Sequence, residues 1–164
     1  MRIYLPATAG DLADDAGVTP RWAHTVTGAL RREMPDEEDE GLEMTATLAA
    51  ADDSVRLLAG AVRADTASSL LVPRRVVAAA DVPDDAVAPA GADGDRLPTA
   101  VRLRETVTWD HVVALLVDEA AAEEDVAAAA AGDEEALERS AERDLLWYDV
   151  TERVDLLGEL SAGR

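Results

Sequence analysis

Residues 109–117 read Trp-Asp-His-Val-Val-Ala-Leu-Leu-Val, and the part from His111 to Val117 is apolar at both odd and even positions. A strand with one face in water alternates apolar and polar residues, so this pattern predicts a strand that is covered on both faces. The stretch from Arg75 to Ala79 has the same character. We therefore expect both segments to lie at the centre of one sheet.

The beginning of the first segment has a counterpart earlier in the chain. Trp22-Ala23-His24 matches Trp109-Asp110-His111 at an offset of 87 residues, in a chain with three Trp and two His. The acidic residues 36–38 match 123–125 at the same offset. Self-similarity of this kind indicates an internal duplication. We interpret the chain as two degenerate strand-strand-helix-strand copies, residues 1–73 and 74–150, that share one sheet.

The remaining pattern completes a single domain, residues 1–164, of the α+β class, built as a two-layer sandwich. β-branched runs predict strands, and apolar residues at steps of three and four predict helices. The predicted strands are residues 3–5, 23–27, 75–82, 101–107, 111–117 and 145–150, and the predicted helices are residues 36–60, 120–142 and 151–160. Glycine and proline residues predict a mobile loop over residues 84–98.

The helix predicted over residues 36–60 carries one apolar stripe, which we expect to pack on the core. Its members recur at steps of four and three and so share a face; they are Met44, Leu48, Ala51, Val55 and Leu58. Gly60 is expected to end this helix. Gly132 could break the next predicted helix in two, because glycine weakens a helix interior.

Charge excludes several classes of partner. The chain has 35 Asp and Glu against 15 Arg and no Lys, for a net charge of -20. A phosphate backbone or an anionic membrane would be repelled by such a surface, so we expect neither nucleic acid nor membrane as a partner. The acidity has two open interpretations, adaptation to concentrated salt and the codon bias of a GC-rich genome.

Further expectations follow from residues that the sequence lacks. Without cysteine the chain can form no disulfide and no thiolate metal site. The longest apolar runs, such as residues 112–117, are six residues long, which is far below a membrane-spanning length. The first residues contain neither a basic leader nor an apolar stretch of signal-peptide length, so we expect a cytoplasmic protein.

Four residues are candidates for a small-molecule or metal site. Histidine changes its charge near neutral pH, and the chain has two, His24 and His111. If the copies face each other, both could lie in the groove between them, beside Arg102 or Arg104, and hold a metal with a carboxylate. The alternative is that each His bonds a backbone group beside its Trp. The two arginines could grip a phosphate or carboxylate, or form salt bridges. No ligand pair occurs within either copy, so the sequence assigns no metal and no other cofactor.

Two features are candidates for partner binding. The run Asp36-Glu37-Glu38-Asp39-Glu40 creates a strong negative field, which is either a solvated helix start or a docking surface for a basic protein. Trp147 and Tyr148 are adjacent on a predicted strand, so their rings point to opposite faces. At most one of them can therefore face the core, and the other covers a helix or meets a partner.

Three stretches of the chain resemble an uncharacterised family of small acidic actinobacterial proteins. They are Arg-Ile-Tyr-Leu-Pro-Ala-Thr at residues 2–8, Pro-Arg-Arg-Val-Val-Ala-Ala-Ala-Asp-Val-Pro at 73–83 and Leu-Leu-Trp-Tyr at 145–148. The resemblance spans nearly the whole chain. Because that family is a domain of unknown function, it implies an actinobacterial, cytoplasmic setting and supplies no activity, cofactor or site residue.

Two functions remain open at this point. The first is a non-enzymatic protein that binds a basic partner or a second copy of itself. The second is a small-molecule or metal-dependent enzyme with its site between the two copies. Convergence of the candidate side chains in a cleft would favour the enzyme. We lean towards the binding protein because no catalytic constellation stands out in the sequence.

Overall fold

Seven strands form one antiparallel sheet in a computed structural model that describes residues 1–64, 72–90 and 96–162. The strands are β1 (Arg2–Ala7), β2 (Trp22–His24), β3 (Val76–Asp81), β4 (Val87–Pro89), β5 (Ala100–Leu103), β6 (Val112–Asp118) and β7 (Leu145–Asp149). Their order across the sheet is β4-β5-β2-β1-β3-β6-β7. Both apolar segments form inner strands, because β3 pairs with β1 and β6, and β6 pairs with β3 and β7. Strand β6 nevertheless lies next to the edge of the sheet, not at its centre.

Helices cover both faces of this sheet. They are α1 (Ala9–Leu12), α2 (Gly28–Glu33), α3 (Asp39–Arg63), α4 (Glu123–Ala130), α5 (Glu134–Ala141) and α6 (Arg153–Ala162). Helix α3 lies on one face, where Ala46, Ala50 and Ala51 pack against Val77 and Ala79. On the other face, α1 and α6 enclose the larger core cluster. The predicted α+β class is confirmed, but helices on both faces give three layers where the sequence predicted two.

A buried serine, Ser54, connects α3 to strands β1 and β3 by hydrogen bonds. The hydroxyl of Ser54 donates a hydrogen bond to the carbonyl of Ala7 at 2.7 Å and accepts one from the backbone N–H of Val76 at 3.0 Å. Small residues beneath the helix allow this close approach. The helix therefore has a fixed position over β1 and β3, which in turn fixes the position of the residues on its two flanks.

The two Trp-x-His segments occupy unlike settings. Trp22 to His24 form strand β2, whereas Trp109–His111 form a 3-10 turn before β6. His24 is buried and His111 is exposed. The structure therefore gives no support to an internal duplication.

Several predicted boundaries were wrong. Helix α3 runs through Gly60 and ends at Arg63, because Gly60 keeps a helical conformation. The helix predicted over residues 120–142 is broken at Gly132, the glycine named above as a possible break, and its φ of 106° is the left-handed conformation that glycine tolerates. Residues 84–89, expected in a mobile loop, form a 3-10 turn and strand β4, while residues 91–95 of that loop lie outside the described residues.

Candidate functional site

A groove runs between α3 and strand β7 on the α3 face of the sheet. It has a volume of about 540 Å³. We call it the α3–β7 groove; its lining residues are Arg2, Tyr4, Glu40, Glu43, Met44, Thr47, Leu48, Ala79, Ala114, Leu116, Ala141, Glu142, Arg143, Asp144, Leu145 and Trp147. Strand β7 is at the edge of the sheet, so one wall of the groove stands next to solvent.

The walls of the α3–β7 groove are large apolar side chains in contact with water. Trp147 is 62% exposed, Met44 57% and Leu48 39%. Trp147 lies opposite Leu116 in the register of β7 and β6, which places its ring on the α3 side of the sheet. Folding leaves these three side chains with apolar surface that a partner could cover.

Acidic side chains surround this apolar surface. Glu40 and Glu43 come from the first turns of α3, and Glu142 and Asp144 come from the segment between α5 and β7. Among the ion pairs of the described residues, none involves Glu40, Glu142 or Asp144. The rim therefore keeps much of its negative charge.

The basic residues of the groove are held by other carboxylates. Arg2 binds Asp81 at 2.7 Å, and Arg143 binds Asp125 at 3.0 Å. The Tyr4 hydroxyl donates a hydrogen bond to Glu43 at 3.2 Å. Burial raises the pKa of Tyr4, and the negative charge of Glu43 raises it further. The groove thus presents carboxylates and apolar rings, with little compensating positive charge.

The predicted partner-binding residues come together only in part. Glu40 and Trp147 line the same groove, whereas Asp36, Glu37 and Glu38 are exposed in the turn before α3. Asp39 is paired with Arg31 at 2.6 Å. Tyr148 points to the opposite face, where it packs half-buried against the larger core cluster. As the strand pattern predicted, one of the two adjacent rings faces the core and the other does not.

A second, smaller pocket lies on the opposite flank of α3. We call it the Trp22 pocket; it has a volume of about 450 Å³ and is lined by Trp22, His24, Asp53, Arg56, Arg96, Leu97 and Ala100. The guanidinium of Arg96 lies 4.4 Å from the centre of the Trp22 ring, and that of Arg102 lies 5.3 Å from it. Arg102 reaches the ring because it is directly opposite Trp22 in the register of β5 and β2.

His24 forms the buried floor of the Trp22 pocket. Its Nε2 lies 3.0 Å from Asp53 Oδ2, and its Nδ1 lies 2.8 Å from Thr99 Oγ1. An ionised carboxylate can only accept, so Nε2 carries a proton that it donates to Asp53. Thr99 is 1% exposed, so its hydroxyl is not accessible as a nucleophile. These hydrogen bonds connect α3 to β2 and to Thr99, the residue before β5.

The pKa of Asp53 reflects two opposing effects. Burial raises it, but hydrogen bonds from His24 and Arg56 together with the positive charge of Arg56 outweigh burial, so the pKa lies below its usual range. Both oxygens of this carboxylate are engaged, one by His24 and one by Arg56. Asp53 consequently stays ionised and paired at neutral pH.

The other candidate residues lie away from the Trp22 pocket. His111 is exposed in the 3-10 turn before β6, and β1 and β3 separate β6 from the strand of His24. Three strand spacings amount to about 14 Å, too far for both imidazoles to ligate one ion. Arg104 follows the end of β5 and is exposed. Within the described ranges, no group of three or more metal-ligating side chains occurs.

Sequence reasoning missed Asp53, Thr99 and Arg56. Asp53 is 29 residues from His24 and Thr99 is 75 residues from it, and no local pattern links residues so far apart. Met44 and Leu48 were misassigned to the core for a different reason. Their spacing fits an apolar stripe, but in this half of α3 the buried residues are Leu42 and the smaller Ala46 and Ala50.

Comparison with known proteins gives a family and no activity. A model described as a family of unknown function, DUF6912, matches residues 1–157. No curated protein and no solved structure matches the chain. In the part of the chain that the structure describes, no helix combines the length and the apolar character needed to cross a bilayer.

Proposed function

Since the chain belongs to DUF6912, a family of unknown function, we propose a role from its geometry: it is a binding protein whose α3–β7 groove takes a basic segment of a partner protein. The occupant in this proposal is a peptide segment that carries both positive charge and apolar side chains. Its positive charge suits the acidic rim of the groove, and its apolar side chains suit the apolar walls.

The exposed ring of Trp147 is the observation that carries the proposal. A tryptophan ring that leaves water removes a large apolar area, and tryptophan is enriched among residues that dominate binding energy. Met44 stands with it on the wall of the groove, and methionine adapts its shape to different partners. The groove therefore offers an anchoring ring and a deformable neighbour.

Charge determines which partner fits the groove. The carboxylates of Glu40, Glu142 and Asp144 form no ion pair in the described residues, so a lysine or arginine of the partner would gain one. The surplus of 20 negative charges over the whole chain accelerates encounter with a basic segment and repels acidic ones. A basic peptide with apolar side chains is the occupant that satisfies both the walls and the rim.

Selection from a random peptide library on the purified protein tests the proposal. Peptides bound to wild type should be enriched in Lys or Arg next to Leu, Ile or aromatic residues. The Trp147→Ala variant should bind the enriched peptides about 30-fold more weakly, because a central tryptophan typically contributes about 2 kcal/mol or more. The dissociation constants are measured by fluorescence anisotropy.

Two matched variants control for general effects of exposed and acidic residues. Val154→Ala removes a side chain that is 66% exposed on α6, and the double variant Glu134→Gln, Glu135→Gln removes two exposed charges at the start of α5. Both should bind within about twofold of wild type, whereas Glu40→Gln, Glu142→Gln should weaken binding. Enrichment of acidic or neutral peptides, or no enrichment, would contradict the proposal.

A further inference from the structure

The Trp22 pocket concentrates positive charge in a chain that is otherwise strongly acidic. Arg96 and Arg56 line the pocket, and Arg102 approaches the Trp22 ring from beside it. In the described residues, Arg96 and Arg102 form no ion pair, although most of the other arginines do. Arg32, Arg63 and Arg104 also form no ion pair within the described ranges, but only Arg96 and Arg102 lie together against one aromatic ring there.

The guanidinium carbons of Arg96 and Arg102 lie within cation–π distance of the Trp22 ring, a contact that uses none of their N–H donors in an ion pair. A guanidinium that lies over an aromatic ring uses its flat face, while its N–H donors point outwards in the plane of the group. Those donors match the paired oxygens of a phosphate or carboxylate. The ring also restricts the side chains, so less conformational freedom is lost when an anion binds.

The carboxylate in the Trp22 pocket does not cancel this charge. Asp53 accepts hydrogen bonds from His24 and Arg56, so both of its oxygens face partners within the protein. Leu97 and Ala100 supply an apolar margin beside the arginines. The pocket therefore combines anion donors with a small apolar surface, and it lies on the flank of α3 opposite the α3–β7 groove.

We propose that the Trp22 pocket is a binding site for a small oxyanion, the phosphate or carboxylate group of a metabolite, held by Arg96 and Arg102 beside the Trp22 ring. The site is separate from the α3–β7 groove and shares no residue with it.

Nuclear magnetic resonance of the tryptophan indole N–H groups tests this site directly. The chain has three Trp, so three indole signals are expected, and single Trp→Phe variants assign them. Sodium phosphate and sodium acetate are titrated separately at constant ionic strength. The Trp22 signal should shift and saturate with at least one anion, while the signals of Trp109 and Trp147 should stay in place. Whichever anion binds more tightly identifies the oxyanion class.

Arginine variants separate a site from diffuse attraction. Arg102→Gln and Arg96→Gln should each weaken binding about tenfold, the usual effect of losing a charge-assisted hydrogen bond. Arg104→Gln is the matched control, since it removes an equal charge two residues away on an exposed side chain, and it should change binding less than twofold. Equal losses in Arg104→Gln and Arg102→Gln, or no saturable shift of Trp22 with either anion, would overturn the proposal.

Discussion

Arg75 is fully buried, and a single carboxylate accepts three of its hydrogen bonds. Its Nε donates to Asp118 Oδ2 at 2.8 Å, its Nη2 to Asp118 Oδ1 at 2.6 Å, and its backbone N–H also reaches Asp118. Nη2 further donates to the carbonyl of Arg143, while Nη1 has no partner among the described residues. Both charges are removed from water, so each needs the other to offset the free-energy cost of its burial.

Removing one partner of this pair should cost more than removing both. Arg75→Met leaves the Asp118 carboxylate buried without compensation, and we expect a loss of about 3–5 kcal/mol in the free energy of unfolding. The double variant Arg75→Met, Asp118→Leu should recover a large part of that loss. Urea denaturation measures both values. A double variant that is less stable than the single variant would contradict the expectation.

Two neighbouring aspartates on α3 should respond oppositely to loss of charge. The pKa of Asp52 is raised chiefly by burial, so its ionised form opposes folding, whereas the pKa of Asp53 is lowered because its bonds to His24 and Arg56 outweigh burial. At pH 7, Asp52→Asn should raise the melting temperature and Asp53→Asn should lower it. Thermal denaturation followed by circular dichroism measures both changes.

The stabilising contribution of the Asp53 carboxylate should depend on pH. A carboxyl with a lowered pKa in the folded state stabilises the fold above the ordinary range near pH 4, and that contribution disappears as pH falls through the folded-state pKa. The melting temperature of Asp53→Asn should therefore approach that of wild type as the pH falls below about 4. A difference that stays constant over this range would show that the effect of the substitution is steric.

At the scale of single elements, helix α3 shows how far sequence patterns reach. Its existence and its acidic start were predictable from spacing and charge. Of the predicted stripe, Ala51, Val55 and Leu58 are buried. Met44 and Leu48 at its N-terminal end are exposed. Alanines 46 and 50 face the sheet because the helix lies close to β1 and β3, where the strand residues are themselves small. The larger side chains of Met44 and Leu48 lie on the exposed flank of the helix. Periodicity identifies a helix, whereas volume complementarity with distant strands selects its buried face.

Replacing two glycines with alanine should change the stability of the protein in opposite directions, which tests the helix boundaries. Gly60 is inside α3 with open space where a side chain would be, so Gly60→Ala should stabilise the protein by about 0.5–1 kcal/mol. Gly132 has open space too, but its φ is 106°, so Gly132→Ala should destabilise by about 1 kcal/mol or more. Chemical denaturation measures both. Stabilisation by both substitutions would mean that α4 and α5 join into one helix.

The strands illustrate a different limit of the sequence. Inner strands β3 and β6 were predictable because apolar residues on both parities require cover on both faces. Strand β4 was missed, since Val87–Pro89 is short and lies among turn-forming residues. It pairs with β5 through three residue positions, and this pairing depends on β5 rather than on its own composition.

For the molecule as a whole, the fold class was predictable and the candidate site was not. Composition and periodicity describe each segment by itself, whereas the Trp22 pocket joins residues from β2, α3 and the segment before β5. The α3–β7 groove was half predictable, because Glu40 and Trp147 stood out in the sequence but nothing placed them together. Contacts between distant segments depend on strand order, which these patterns do not contain.

Salt should stabilise the whole protein. With a net charge of -20, repulsion among carboxylates opposes the compact state, and ions screen that repulsion over a Debye length of about 10 Å at 0.1 M. We expect the melting temperature to rise between about 0.01 and 0.5 M sodium chloride. A continued steep rise into the molar range would favour adaptation to concentrated salt, and a plateau would favour genome composition. A fall over the first interval would mean that ion pairs such as Arg2 with Asp81 outweigh the repulsion.

Strand β1 precedes every other strand of the described residues in the chain and occupies a central place in the sheet. It has one registered residue pair with β2 but six with β3, which begins at Val76. In the nascent polypeptide, the apolar side chains of β1 therefore lack their main partner strand until some seventy further residues have been translated. Partnerships between residues so distant along the chain slow folding and leave aggregation-prone edges open meanwhile. The 75 residues that precede β3 carry 13 Asp and Glu against 8 Arg, so the nascent chain is net negative by the end of this delay and repels its neighbours.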